Sequence, residues 1–278
     1  MRMLLLTMAI GSVAAATGAD EVTNRLVGDR EAGKPLVVHV VVALCDNVHQ
    51  GIVPVPARLG NGSDPDHNLY WGAAYGMRGY LGRSTGWKRV SLERRPASGI
   101  LERVVFSAKV KSSRAFIVAD AWEGSRIREA ISRFLEMAAG RQTEVVQADG
   151  EALPAGGQAH VLAFVGHNGL MDFAPPSIEP GVSKPGRAAM VLACASQPYF
   201  KELLGRSGAY PLLLTTGLMA PEAYSLEAAV REWFSTAEPN AARAAAANAY
   251  HTYQKCGRQA AARLFSVDVK GRARPPNN

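Results

Sequence analysis

Residues 160–169 read HVLAFVGHNG and residues 188–196 read AAMVLACAS. Val161 to Val165 and Met190 to Ala193 are nearly unbroken apolar runs of strand length, the pattern of strands buried on both faces of a parallel sheet. Each run stops on a side chain that carries chemistry, His167 in the first and Cys194 in the second. In an open α/β sheet, ligands bind in the crevice outside the carboxyl ends of the strands, so both residues fall where reactive groups are expected. Neighbouring strands lie about 4.8 Å apart, close enough for an imidazole and a thiol at adjacent strand ends to reach one substrate. Either residue alone has an ordinary structural reading, a packed cysteine or a core histidine. Their pairing at two strand ends is what points to a dyad.

Working outward, Leu36 to Leu44 (LVVHVVVAL), Ala115 to Ala121 (AFIVADA) and Pro211 to Thr216 (PLLLTT) are further buried strands. Lys88 to Arg94 and Ile100 to Val110 alternate charged and apolar residues around Arg95 to Gly99, which predicts a hairpin with one solvated face. Ile127, Ala130, Ile131, Phe134 and Leu135 recur at helical spacing. Further helices are expected over Tyr70 to Leu81, with Asp66 or Asn68 as its cap, over Pro198 to Leu204, after a Ser225 cap, and from about Asn240 to Ala262. Residues up to Lys34 read as a polar segment, Arg141 to Gln158 as a polar Gly-rich connector, and Asn168 to Arg187, rich in proline and glycine, as a rim over the site. The strands and helices interleave as in an α/β fold, a mostly parallel sheet with helices on both faces. One domain is expected over residues 20–278, with its core at about 36–265.

A chain of 278 residues that is 47% apolar can bury a full core. Its formal charge is +7, but the basic residues are scattered singly and in pairs, so no stripe marks a nucleic-acid groove. Met1-Arg2-Met3, the apolar Leu4 to Ala16 and small residues through Ala19 have the order of a secretory signal, which predicts a mature chain from about Asp20 in a secreted or periplasmic protein. No later run approaches the ~20 apolar residues of a membrane helix. Three cysteines leave at least one thiol unpaired, and Cys45 and Cys256 are open to pairing. None has structural-zinc spacing, and no metal or other cofactor is expected. Asp64-x-Asp66-His67-Asn68 offers oxygen-rich spacing for calcium without the rest of an EF-hand loop. Asn61-Gly62-Ser63 matches a glycosylation sequon and is equally ordinary turn chemistry.

The two matched phrases resemble the signature of the caspase-like cysteine peptidases: apolar strand, His-Gly, spacer, apolar strand, Ala-Cys. The short spacer, and a tail of strand, polar exit, Trp-Phe helix and Ala-rich helix, are closest in pattern to gingipain and CHAT-type members. His precedes Cys, the reverse of the papain order, and Leu192 to Ser196 reads LACAS where caspases have Gln-Ala-Cys-x-Gly. The resemblance implies a caspase-like three-layer sandwich in which the first strand lies beside the His strand. It implies that Cys194 is the nucleophile, that His167 handles the proton, and that backbone N–H groups after the His and at the Cys form the oxyanion hole. Asn168 stands where the family has Gly, so Asn168 or Gly169 is the candidate donor. Asp46 and Glu222 follow strands expected around the crevice and are candidate substrate-binding carboxylates favouring Arg or Lys; capping turns is the other reading of both. The expected activity is an exported cysteine endopeptidase acting on a peptide or protein substrate, with oligomeric state left open. The alternative is a catalytically inactive member of the fold that binds peptides or proteins, for which the inserted Asn168 is the motive. A serine hydrolase or amidase of another family is a more distant one.

Overall fold

A computed structural model describes residues 18–182 and 185–267. The expected secretory signal and the tail after Lys270 lie outside the described residues, apart from the last positions of the signal. The first element is a helix, α1 (Gly18–Glu31), where a polar segment was expected. It buries only Val22 and Leu26 and is held by its arginines instead. Arg25 donates to the carbonyls of Gln158, Ala159 and Gly186, and Arg30 to those of Phe234 and Ser235. Such a helix leaves little apolar periodicity to read.

The strand β1 (Leu36–Ala43) is fully buried, as its valine run requires. The chain then wanders through turns to a single helical turn, α2 (Met77–Leu81), so most of the helix expected from Tyr70 is absent. Asn68 is not a helix cap: its side chain accepts the Cys45 N–H at 3.0 Å and donates to the Cys45 carbonyl at 2.8 Å, extending the exit of β1 like a strand partner. The hairpin of β2 (Lys88–Ala97) and β3 (Ile100–Val110) is followed by β4 (Ser113–Trp122) and α3 (Ile127–Ala138). Residues 141–158 are not a linker but a second hairpin, β5 (Thr143–Ala148) and β6 (Glu151–Gly156). Then come β7 (Val161–Val165), β8 (Ala188–Leu192), α4 (Ser196–Ser207) and β9 (Tyr210–Thr215).

The helix α5 (Ala223–Thr236) begins before Ser225, which is fully buried inside it, so Ser225 is not its cap. The Ala-rich region divides into α6 (Pro239–Gln254) and α7 (Arg258–Leu264), because Lys255 and Gly257 turn to positive φ between them, and the short β10 (Phe265–Ser266) ends the described chain.

The main sheet runs β10-β9-β8-β7-β1-β4-β3-β2. The five central strands β9, β8, β7, β1 and β4 are parallel; β10 and β3 run antiparallel to them at the two flanks, and β2 pairs antiparallel with β3 at the edge. Alternation along β1 divides the core in two. Val38, Val40 and Val42 join a cluster with α1, α5 and α6, whereas Val37, Val41 and Ala43 join one with α3, α4 and the β5–β6 hairpin. The molecule is thus an α/β protein with helices on both faces of a mostly parallel sheet. Among the described residues no helix is long and apolar enough to cross a membrane.

Candidate active site

Strand register puts the two reactive residues side by side. β7 and β8 pair in parallel with Val165 opposite Leu192, so His167 and Cys194 each stand two residues beyond that last pair. Gly166 makes the exit possible on the His side. Its φ is 146°, and a Cβ there would stand 2.8 Å from the Ala43 carbonyl of β1. The backbone then folds tightly: Asn168 at φ −80°, ψ 83° is the centre of an inverse γ-turn, in which the Gly169 N–H donates to the His167 carbonyl at 3.1 Å. A single 3₁₀ turn over Gly169–Met171 follows, and the Asn168 side chain accepts its Leu170 N–H at 3.2 Å. Gly169 also lies close to Phe173: a Cβ there would come within 2.7 Å of the ring, which would have to shift.

On the Cys side, Cys194 and Ala195 form a strand-to-helix turn. Ala195 adopts φ 46°, a left-handed conformation costing an ordinary residue roughly 1–2 kcal/mol, and α4 starts at the next residue. A buried hydroxyl pair holds that turn: Ser196 Oγ donates to the Val191 carbonyl at 2.8 Å and lies 2.9 Å from Thr215 Oγ1, which donates to the Ala193 carbonyl. The Ala195 N–H also reaches the Gly217 carbonyl at 2.8 Å. The Asn168 side chain ties the two turns together by donating to the Cys194 carbonyl at 2.8 Å. Among the described residues no hydrogen bond is made by the backbone N–H of Asn168 or of Cys194.

His167 is nearly buried, and its Nε2 lies 2.7 Å from Asp172 Oδ2. A carboxylate only accepts, so Nε2 carries the hydrogen and Nδ1 is the acceptor. No described residue hydrogen-bonds to that Nδ1, and no hydrogen bond joins the imidazole to the thiol. The Cys194 thiol instead lies against Met219, whose N–H donates to Sγ at 3.4 Å and whose carbonyl accepts from it at 3.5 Å. All three cysteines are free: Cys194 is part-exposed, Cys256 exposed and Cys45 buried. Burial, with Asp46 adding to it and a hydrogen bond from Tyr70 opposing it, pushes the Cys45 thiol up to about 11.

The two candidate carboxylates differ. Asp46 is buried and occupied: Oδ1 accepts the N–H groups of Val48 and His49 at 2.9 and 3.1 Å, and Oδ2 meets the His49 ring at 3.0 Å. Glu222, just before α5, uses one oxygen, Oε2, for the Tyr224 hydroxyl at 2.8 Å and the Gln254 amide at 3.0 Å. Burial first, then the charges of Cys45, Cys194 and Glu222, holds the Tyr70 hydroxyl well above the ordinary phenol range, and Tyr250 is raised by burial with Cys194 and Glu222 contributing. The calcium spacing at Asp64 and Asp66 is taken up by local partners, His67 at 2.7 Å and Arg78 at 2.7 Å.

Four contributors were not read from the sequence: Asp172, Met219, Tyr70 and Thr215. Asp172 follows His167 by five residues inside the proline-rich rim, where an acid looks like ordinary turn chemistry. A Gly-x-Ser-x-Gly spelling does occur, at Gly82 to Gly86, but it leads from α2 into β2, whereas a nucleophile elbow leads from strand to helix. No family model matches the chain, and no curated protein matches it.

Proposed function

We propose that the protein is an exported, caspase-like cysteine endopeptidase in which Cys194 and His167 form the catalytic dyad. The observation that carries this reading is the placement of an imidazole and a part-exposed thiol at the carboxyl ends of the neighbouring parallel strands β7 and β8, with the two turns joined by the Asn168 side chain. The order of the strands supports the resemblance, since β1 lies directly beside the His strand.

In the proposed reaction the Cys194 thiol gives its proton to His167 as its sulfur attacks the scissile carbonyl carbon, and negative charge collects on the carbonyl oxygen. The N–H groups of Asn168 and Cys194 are the donors proposed for that oxygen, because the Gly169 N–H is engaged by His167. His167 delivers a proton to the leaving amine as the C–N bond breaks, leaving a thioester on Cys194. Water then attacks the thioester, giving up a proton to His167, which passes it to the departing Cys194 sulfur, so that the carboxylic acid and the free thiol are released. No metal or organic cofactor takes part in this scheme. Glu222 is the acid proposed to favour Arg or Lys before the scissile bond, since Oε1 is not used by a described residue, while both oxygens of Asp46 hold its own turn.

A peptide library cleaved by purified protein tests the reading. Cleavage lost in Cys194→Ala, with a basic preference weakened in Glu222→Gln and kept in Asp46→Asn, is expected. A folded protein that cleaves nothing yet binds peptides would favour the inactive-module reading, and N-terminal sequencing of exported protein should find a start near Asp20.

A further inference from the structure

Resting on that reading of the dyad, we infer that Asp172 is a positioning residue that fixes the His167 ring with Nε2 protonated and Nδ1 open toward the reacting groups, and that the Gly51 loop holds Asp172 in place. The contact is short, 2.7 Å from Asp172 Oδ2 to Nε2, and the histidine is 7% exposed, so few ring orientations compete. Asp172 is itself held: the same Oδ2 accepts the Gly51 N–H at 3.0 Å, from the loop that follows β1. The closeness of that approach depends on glycine, because a Cβ on residue 51 would stand 2.4 Å from Asp172 Oδ1.

From the other side the Asp172 N–H reaches the Gly169 carbonyl at 2.9 Å, closing the 3₁₀ turn that starts beside His167. The loop bearing Gly51 is internally braced, with the Asn47 side chain donating to the Val55 carbonyl at 2.7 Å and accepting its N–H at 3.0 Å. The carboxylate is therefore fixed by the β1 exit and by the β7 exit together. An anion opposite Nε2 stabilises the imidazolium formed whenever Nδ1 takes a proton, and a fixed tautomer keeps Nδ1 as the base.

Two readouts test this separately from the dyad. Long-range ¹H–¹⁵N spectra of the ring nitrogens, with the His167 signals identified by their loss in His167→Ala, report the tautomer without any turnover. Alkylation of Cys194 by iodoacetamide, followed by mass mapping, reports the reactivity of the site. Wild type should show Nε2–H only. Asp172→Ala should show a mixture of tautomers and alkylate at least about tenfold more slowly, and Asp172→Asn, which keeps an acceptor oxygen, should recover the tautomer and part of the rate. Gly51→Ala should move the ring signals in the same direction as Asp172→Ala. An Asp172→Ala protein whose ring tautomer and alkylation rate both match wild type overturns the inference. Alkylation indifferent to His167→Ala would instead sink the dyad, and the ring spectra would still decide the role of Asp172.

Discussion

Three buried histidines here sit against an aspartate, and two of them are closed where the third is open. His39, in the middle of β1, accepts the Gly156 N–H at Nδ1 (2.9 Å) and faces Asp120 with Nε2 (3.1 Å). Asp120 is in turn gripped by Arg103 at 2.6 and 2.7 Å, and Arg103 continues to Glu144 at 2.8 Å. His160 is likewise saturated, with the Val37 N–H on Nδ1 at 3.2 Å and Asp29 on Nε2 at 3.1 Å. His167 has the same aspartate contact on Nε2, but its other nitrogen meets no described residue, and it stands at a strand end beside a thiol. A His–Asp contact by itself therefore says little about function. What separates a structural pair from a candidate catalytic one is an unused nitrogen at a place a substrate can reach.

The comparison breaks most visibly at Arg103. His39, Asp120 and Glu144 lie close enough to suggest a metal site, yet the guanidinium already bonds both carboxylates. Arg103→Leu should leave Asp120 buried with a single partner and cost about 3–5 kcal/mol in denaturant unfolding, as truncating a buried ion pair does. Burial raises Asp120, but Arg103 and His39 outweigh it and bring its carboxyl down to about 2. A depressed folded value means that the stabilisation is complete above the unfolded range near pH 4 and is lost as pH falls toward 2. Wild type should lose stability in that window, and the variant should lose less.

At the open histidine, Asn168→Pro set against Asn168→Ala isolates the backbone donor. Both lose the side-chain bond to the Cys194 carbonyl, but only proline removes the N–H, and φ −80° at this position suits its ring. Turnover should fall by a further factor equivalent to about 3 kcal/mol in the proline variant. Equal turnover in the two would remove Asn168 as an oxyanion donor.

How much of this was legible depended on whether a residue's role lay in its own segment. The valine run of β1 and the runs ending at His167 and Cys194 announce buried parallel strands, because a strand covered on both faces needs apolar residues at every position. The hairpin β5–β6 was missed because its apolar positions, Leu153 among them, are few, and because it serves to cover the polar cluster at His39 rather than to extend the sheet. The expected helix at Tyr70 failed for a similar reason: Asn68 spends its side chain on Cys45, 23 residues earlier, and no local pattern records that bond. At the site, the candidate pair His167 and Cys194 was visible because both end apolar runs. Asp172, Met219 and Thr215 were not, since each acts through a partner fixed only by the fold.

The most gradual effect is expected at His160. Burial and the nearby Arg25 lower it to about 4 against the opposing pull of Asp29. With the folded value below the unfolded one of about 6.5, the unfolded chain binds more protons between the two, so stability should fall as pH drops from about 6.5 to about 4. The slope is at most one proton's worth, about 1.4 kcal/mol per pH unit. Denaturant midpoints across that range should be flatter in His160→Gln, and an unchanged slope would show that the closed pair does not titrate with unfolding.

The contrast between closed and open histidines converges on the thiol beside His167. Native protein treated with a peptidyl electrophile, then digested and mapped by mass, should carry the label on the part-exposed Cys194 in preference to the exposed Cys256 and the buried Cys45. The rate should drop about a hundredfold or more in His167→Ala and stay near wild type in His39→Gln, provided that variant folds. Label found mainly on Cys45 or Cys256, or a Cys194 rate that ignores His167, would contradict the account.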